Sequence, residues 1–283
     1  MKYNLAFKYR IYPNKEQELL IKKTFGCVRF VYNTILYAAN KFYEETGKNK
    51  IITPASLKSE NQFLKEVDSL ALSNAQLNVK RSFTNFFQKR AKFPRFKSKK
   101  NNVKSYTTNC VNNSIRIEEN KYLVLPKLKK VKLKYHREIP KDYKIKSVTL
   151  TNSNGNYYVS ILTEFGKEIQ KVASNDKVIG LDFSMSELFI SSENQRADYP
   201  RYFRMLEEKL KKLQKSLSRK VKFSKNWYKQ KAKISKLHEY IKNCRRDFLH
   251  KLSKKLSEDY NAVVVEDLNM KGMSQALNFG KSV

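Results

Sequence analysis

The chain has 283 residues, of which 40% are apolar and 12% aromatic, a composition that excludes a disordered polypeptide. Its 59 Lys+Arg outnumber 26 Asp+Glu for a formal charge of +33, spread along the whole length, so the folded form repels itself unless an anionic partner such as a polyphosphate offsets the charge. No apolar run is long enough to span a bilayer, residues 1–10 lack a signal-peptide core, and three cysteines (Cys27, Cys110, Cys244) and three histidines make neither a disulfide framework nor a zinc pattern; the expectation is a cytosolic nucleic-acid binder rather than a membrane protein.

Residues 3–11 read as one strand with Leu5, Phe7, Tyr9 and Ile11 on a common face, broken by Pro13-Asn14. Helical periodicity then runs over 15–45 and stops at Gly47. A second helix is predicted over 74–92, carrying Leu77, Phe83, Phe86 and Phe87. The loop that begins at Pro94 is basic and punctuated by aromatics. Short strands follow at 114–117, 122–125, 131–135, 145–151 and 157–165, joined by turn pairs such as Asn112-Asn113 and Asn154-Gly155. They suggest a small curled sheet or barrel that the first strand completes, with the helices inserted between.

From residue 177 the style changes again. A strand through Asp182 and another over 186–192 read as a hairpin, then two basic helices run over about 200–219 and 226–259. Met205, Leu206, Leu210, Leu213 and Leu217 form one apolar stripe; Ile234, Leu237, Ile241, Phe248, Leu249, Leu252 and Leu256 form another. Both read as packing seams. A run of β-formers over 262–265 returns in parallel to the sheet, as a helical crossover allows. It ends in Glu266, as the earlier strand ends in Asp182. Two carboxylates delivered to one sheet rim repel each other, and a bound Mg²⁺ relieves this. Such pairs are more often solvated rim residues or caps than catalytic groups, so context decides.

The context is a set of motifs. Phe7-Lys8-Tyr9-Arg10-Ile11-Tyr12-Pro13-Asn14, Phe25-Gly26-Cys27-Val28-Arg29-Phe30-Val31-Tyr32-Asn33, Asn85-Phe86-Phe87, Phe93-Pro94-Arg95-Phe96-Lys97, Gly180-Leu181-Asp182, Arg246-Asp247-Phe248-Leu249-His250-Lys251 and Val265-Glu266-Asp267-Leu268-Asn269-Met270-Lys271-Gly272-Met273 stand in this order. Together they resemble the TnpB (OrfB) proteins of insertion sequences, relatives of the type V CRISPR effectors. The resemblance implies an α+β multidomain fold: a wedge β-barrel (residues 1–12 and 101–172), an inserted helical recognition domain (13–100) and an RNase H-like RuvC α/β domain (177–283). It implies a guide RNA, double-stranded target DNA beside a short adjacent motif, and location at the bacterial nucleoid. Family members cut both strands with Mg²⁺ at a three-acid site. Here the sequence ends at Val283, before the zinc ribbon and late Asp of the family. The expectation is therefore an incomplete RuvC domain with no zinc site. Asp182 and Glu266 would be vestigial ligands holding Mg²⁺ weakly at most, in a nuclease-dead, RNA-guided binder that represses transcription by persisting as an R-loop. The alternative is a Mg²⁺-dependent RNA-guided endonuclease seen as a fragment.

Further residues have expected roles. Arg245, Arg246, His250 and Lys251 suit phosphate contact from a basic helix, or form a solvated face. Arg95, Lys97, Lys99 and Lys100 form a loop suited to phosphates. Tyr106, Trp227 and Tyr228 suit base stacking, or are buried aromatics. The resemblance maps adjacent-motif reading to Ser69, Leu70, Ser73 and Asn74; those residues equally suit a helix cap.

Overall fold

The computed structural model describes residues 1–100, 104–166, 177–184, 186–269 and 272–273. Met270 and Lys271 of the last motif, the first residues expected in the second barrel segment (101–103) and its last (167–172) lie outside that set. The chain divides into two compact units, Met1–Ile169 and Gln170–Val283.

The first unit is built on a seven-stranded antiparallel sheet: β1 (Lys2–Tyr12), β2 (Lys104–Asn109), β3 (Arg116–Glu118), β4 (Tyr122–Leu125), β5 (Lys129–Lys134), β6 (Lys144–Ser153) and β7 (Asn156–Gly166), in the order β2-β6-β7-β1-β5-β4-β3. The amino-terminal strand lies mid-sheet. It pairs with β7 (Phe7 opposite Ile161) and with β5 (Arg10 opposite Lys134), which closes the long excursion from residue 13 to residue 103. Strict alternation explains the placement: Phe7, Tyr9 and Ile11 are buried while Lys8 and Arg10 are exposed. The tight β6–β7 turn needs positive φ at both central positions, and Asn154 (50°) and Gly155 (81°) supply it.

Three helices fill the excursion: α1 (Lys15–Thr46), α2 (Pro54–Glu60) and α3 (Ser69–Phe87), with a 3₁₀ turn at Gln62–Lys65. Asn14 and Gln17 close a reciprocal capping box at the start of α1, with bonds of 2.8 and 3.0 Å. Gly47, at φ 66°, ends it. Ile21, Phe25, Val28, Val31, Ile35 and Leu36 form its buried stripe. Ala71, Leu72, Ala75 and Val79 of α3 are buried in the same core.

Several expectations shift. The second long helix begins at Ser69 and ends at Phe87, because the buried Asp68 caps it, accepting from Leu70 N at 3.0 Å. Leu77 and Phe87 face outward on it, 47% and 64% exposed. Helix α2 has no predicted counterpart, nor has β2. The β2 segment is polar (KSYTTN), and only Tyr106 and Thr108 are buried, too few to register as a strand. The hydroxyl of Thr108 donates to Asp68, tying β2 to the start of α3.

The second unit holds a three-stranded sheet, order β10-β8-β9, from β8 (Val178–Phe183), β9 (Phe189–Ser191) and β10 (Ala262–Val265). Strand β9 is antiparallel to β8 and β10 is parallel to it. Between them stand α4 (Tyr202–Ser218) and α5 (Lys225–Asp259), the latter capped by Ser224, whose hydroxyl accepts from Trp227 N at 3.1 Å. The α4–α5 seam buries Leu210, Leu237 and Ile241, with Leu206, Leu213 and Ile234 packed against them. Met205 (73% exposed) and Leu249 (40%) fall off the predicted stripes. Strand β10 departs most from its pattern. Read as a buried run, it is exposed at all four positions, because among the described residues it is the edge of a narrow sheet.

Candidate carboxylate rim and nucleic-acid interface

The parallel pairing of β8 with β10 aligns Leu181 with Val265. One residue further along each strand stand Asp182 and Glu266, so the two carboxylates leave adjacent strands at the same level and on the same side of the sheet. Behind them the Gly180 N–H donates to Ser192 Oγ at 3.1 Å, and a Cβ at Gly180 would meet the Ser192 side chain at an ordinary contact distance of 3.7 Å. The rim opens into a cleft of about 280 Å³ whose walls include Phe183, Phe189, Asp267 and Leu268. Asp267 was not singled out by sequence reasoning; its only signal was adjacency to Glu266.

Both carboxylates are exposed and neither pairs with a Lys or Arg among the described residues. Oxygen donors that are free of cationic partners suit a hard divalent cation such as Mg²⁺, which keeps several waters when few protein ligands are offered. Asp182 and Glu266 are the groups that would hold it. Among the described residues, no cluster of three or more His, Cys, Asp or Glu stands close enough to form a closed metal site.

The basic helix α5 carries Arg245, Arg246, His250 and Lys251, all exposed. Arg245 Nε donates to Tyr199 Oη at 2.8 Å, and Tyr199 packs edge-on to Phe248. Arg246 Nε approaches His250 Nε2 at 3.3 Å. Lys251 pairs with Asp247 at 2.7 Å, which raises its pKa above the usual lysine value. Of these four, Arg245 is held in place by an aromatic and Lys251 is already partnered. Trp227 sits in the first turn of α5, half-buried between Phe223 and Tyr228, with Lys231 Nζ 5.0 Å from its ring. The aromatic faces here lie beside lysine, whereas Tyr106 is 6% exposed and packs edge-on to Phe25 at 5.7 Å. Burial first, then the charge of Asp68, pushes the Tyr106 phenol pKa up. Tyr106 is thus the buried aromatic that the sequence left open.

Arg95, Lys97, Lys99 and Lys100 are all exposed in the loop after α3, but Lys97 alone is tied back to α1. Asn33 of α1 clamps the loop by two bonds, accepting from Lys97 N (2.8 Å) and donating to Lys97 O (3.1 Å). The Lys97 ammonium lies 4.0 Å from the centroid of the Tyr32 ring. Its desolvation pulls the pKa below the usual lysine value, although the residue as a whole is exposed.

Ser69, Leu70, Ser73 and Asn74 occupy the first turns of α3, but the cap is Asp68. Ser69 Oγ accepts from Lys58 Nζ at 2.7 Å, Ser73 Oγ donates to Ser69 O, and Asn74 Nδ2 donates to Leu70 O at 2.9 Å.

Comparison with known proteins gives the following. A family model for IS605-type OrfB, described as a probable transposase, matches residues 159–277. A second, described as a helix-turn-helix domain, matches residues 1–48, a stretch that folds here as β1 and the single helix α1. A putative RNA-guided DNA endonuclease InsQ of Escherichia coli (strain K12) is 35% identical over 98% of this chain, which covers 69% of that protein. A putative RNA-guided DNA endonuclease of Streptomyces pristinaespiralis is 33% identical over 95% of this chain and 68% of its own length. Among solved structures, the Cas12f1–sgRNA–target DNA complex matches 97% of this chain and 82% of the Cas12f1 chain, with a TM-score of 0.59. At 10% sequence identity, that match shows an α+β fold of the same kind.

Proposed function

The chain belongs to the OrfB (TnpB) family of IS605-type transposon proteins, and we propose that it binds a guide RNA together with duplex DNA matching that guide. The carrying observation is the rim: Asp182 and Glu266, far apart in sequence, stand side by side on parallel strands of a chain with charge +33. In this reading base pairing with the guide supplies sequence specificity, and the protein holds the heteroduplex by its backbone. Residues 1–12 and 101–172 form the wedge, 13–100 the recognition domain and 177–283 the RuvC domain. Arg95, Lys99, Lys100, Arg246 and His250 contact phosphates, Trp227 stacks on a base, and the first turn of α3 with Ser73 and Asn74 reads the adjacent motif.

Bound Mg²⁺ would supply Lewis-acid stabilisation of a phosphodiester transition state. The chain's own part is to orient two carboxylates toward one point. Among the described residues the rim offers two ligands, which leaves much of the metal's shell to water, so we infer weak metal binding and occupancy of DNA without efficient cutting. Such a complex persists and obstructs transcription. The names of the relatives favour a second reading, an RNA-guided Mg²⁺-dependent endonuclease.

One experiment separates them. The protein is purified with its bound RNA, the RNA is sequenced, and a matching duplex is assayed for binding and nicking in Mg²⁺. Matched binding without nicks supports the occupancy reading. Cleavage that Asp182→Ala abolishes establishes the enzyme. Binding indifferent to the guide overturns both.

A further inference from the structure

A second cavity, about 270 Å³, lies in the first unit, and its lining converges from three separate elements. Arg29 comes from α1, Lys97 and Ser98 from the loop after α3, and Lys104 and Ser105 from β2. We propose that this cavity receives one phosphate group of a nucleic-acid backbone, gripped by the Arg29, Lys97 and Lys104 cations and the two serine hydroxyls. The proposal rests on the nucleic-acid reading above and names a site within it.

Four observations carry it. Among the described residues, none of the three cations is paired with a carboxylate, while lysines elsewhere, such as Lys23 with Glu66 and Lys130 with Glu118, are paired. Among the described residues no acid lines the cavity, and its cationic lining suits an anion rather than a metal ion. One of its donors is preset: the Asn33 clamp fixes the backbone of Lys97 and the Tyr32 ring holds its ammonium, so less ordering of that group is left for the ligand to impose. Its floor is the buried pair Phe25 and Val28, which lowers the local dielectric and strengthens every charge–charge contact made above it. An Arg fork, two ammonium groups and two hydroxyls present more donors than one carboxylate can accept, and a phosphate has the oxygens to use them.

The number of phosphates is itself testable. Three lysines or arginines scattered along a surface would neutralise three phosphates, and removing them would lower the slope of log Kobs against log[salt] by about 2.7 on duplex DNA. Three cations around a single phosphate lower it by about 0.9. The full chain is therefore compared with R29Q/K97Q/K104Q and with K127Q/K132Q/K134Q, which removes equal charge from the β4–β5 turn and β5. Binding to a random-sequence duplex is measured across salt concentrations, and circular dichroism checks the fold of each variant. A slope lowered by about 0.9 in the pocket variant, unchanged in the control and restored when only Lys97→Arg is present, supports the site. An unchanged slope, or equal loss in both triple variants, overturns it. Inorganic phosphate, titrated while the Lys97 amine signal is followed by NMR, supplies the second arm. If the wild-type chain binds no nucleic acid but phosphate still shifts Lys97, the functional reading fails and the anion pocket stands, with its backbone source overturned. If phosphate leaves Lys97 unmoved and the duplex slopes are equal, the pocket fails while the functional reading survives.

Discussion

Lys97 and two tyrosines show how single groups report on their surroundings. With its pKa held down by desolvation, Lys97 loses its proton at lower pH than a free lysine. Its folded charge is a cost, so its contribution to stability improves as pH climbs from that lowered value toward the ordinary one near 10.4. In a ¹³C-dimethylated sample we expect one lysine signal titrating early, absent in Lys97→Arg and moved up by added phosphate; no early signal would contradict the burial of this ammonium. The tyrosines act with the opposite sign. Burial raises Tyr9, whose hydroxyl donates to Arg137 O at 2.7 Å, to about 12, and it raises Tyr106 as well. The stability they contribute is whole below the unfolded value near 10 and is lost as pH rises through their folded values. Denaturant midpoints measured from pH 9 upward should fall, and Tyr106→Phe should flatten that fall. At this scale the sequence showed the chemistry but not the exposure. Asp182 and Glu266 were legible because each closes an apolar run. Tyr106 was not, because nothing in KSYTTN says which side meets Phe25.

Elements were legible where one period dominates. Helix α1 announces itself through its cap, its stripe and Gly47, and β1, β6 and β7 through alternation. The periodic pattern placed the start of α3 at 74, five residues late, because Ser73 and Asn74 break the apolar run Leu70-Ala71-Leu72 that follows the Asp68 cap, and α2 is too short for a period to emerge. Strand β10 reads as buried because four consecutive β-formers look the same whether a sheet continues past them or not. The capping box sets a prediction here. Asn14→Ala removes the acceptor of the Gln17 N–H and leaves its own backbone N–H donating to Gln17 Oε1, so it breaks one bond of the box and should cost about 1 kcal/mol by denaturant midpoint. Asn14→Asp should keep the cap and cost far less. The carboxylate rim depends on register in the same local way. A one-residue slip of β10 would send Glu266 to the opposite side of the sheet from Asp182.

Across the whole molecule the two units are unequal. The first has one large continuous core, running from Phe7 to Ile161, whereas among the described residues the helical seam of the second buries three, Leu210, Leu237 and Ile241. The second unit should therefore unfold first. The chain's only tryptophan, Trp227, lies in it, so fluorescence reports that unit while far-ultraviolet circular dichroism reports both. Non-coincident urea transitions, with fluorescence the earlier, are expected; superimposable curves would show a single cooperative unit. A polyanion should raise the midpoints of the charged chain, and salt should erase that gain. The net charge was legible from composition alone, but the unequal cores were not, since both halves are similarly rich in apolar residues. One consequence follows from the parallel β8–β10 pair. Because α4 and α5 lie between those strands in the chain, a ribosome releases β8 long before its neighbour exists. The two acids can meet only after synthesis has passed through both helices, which makes the rim a late product of biogenesis.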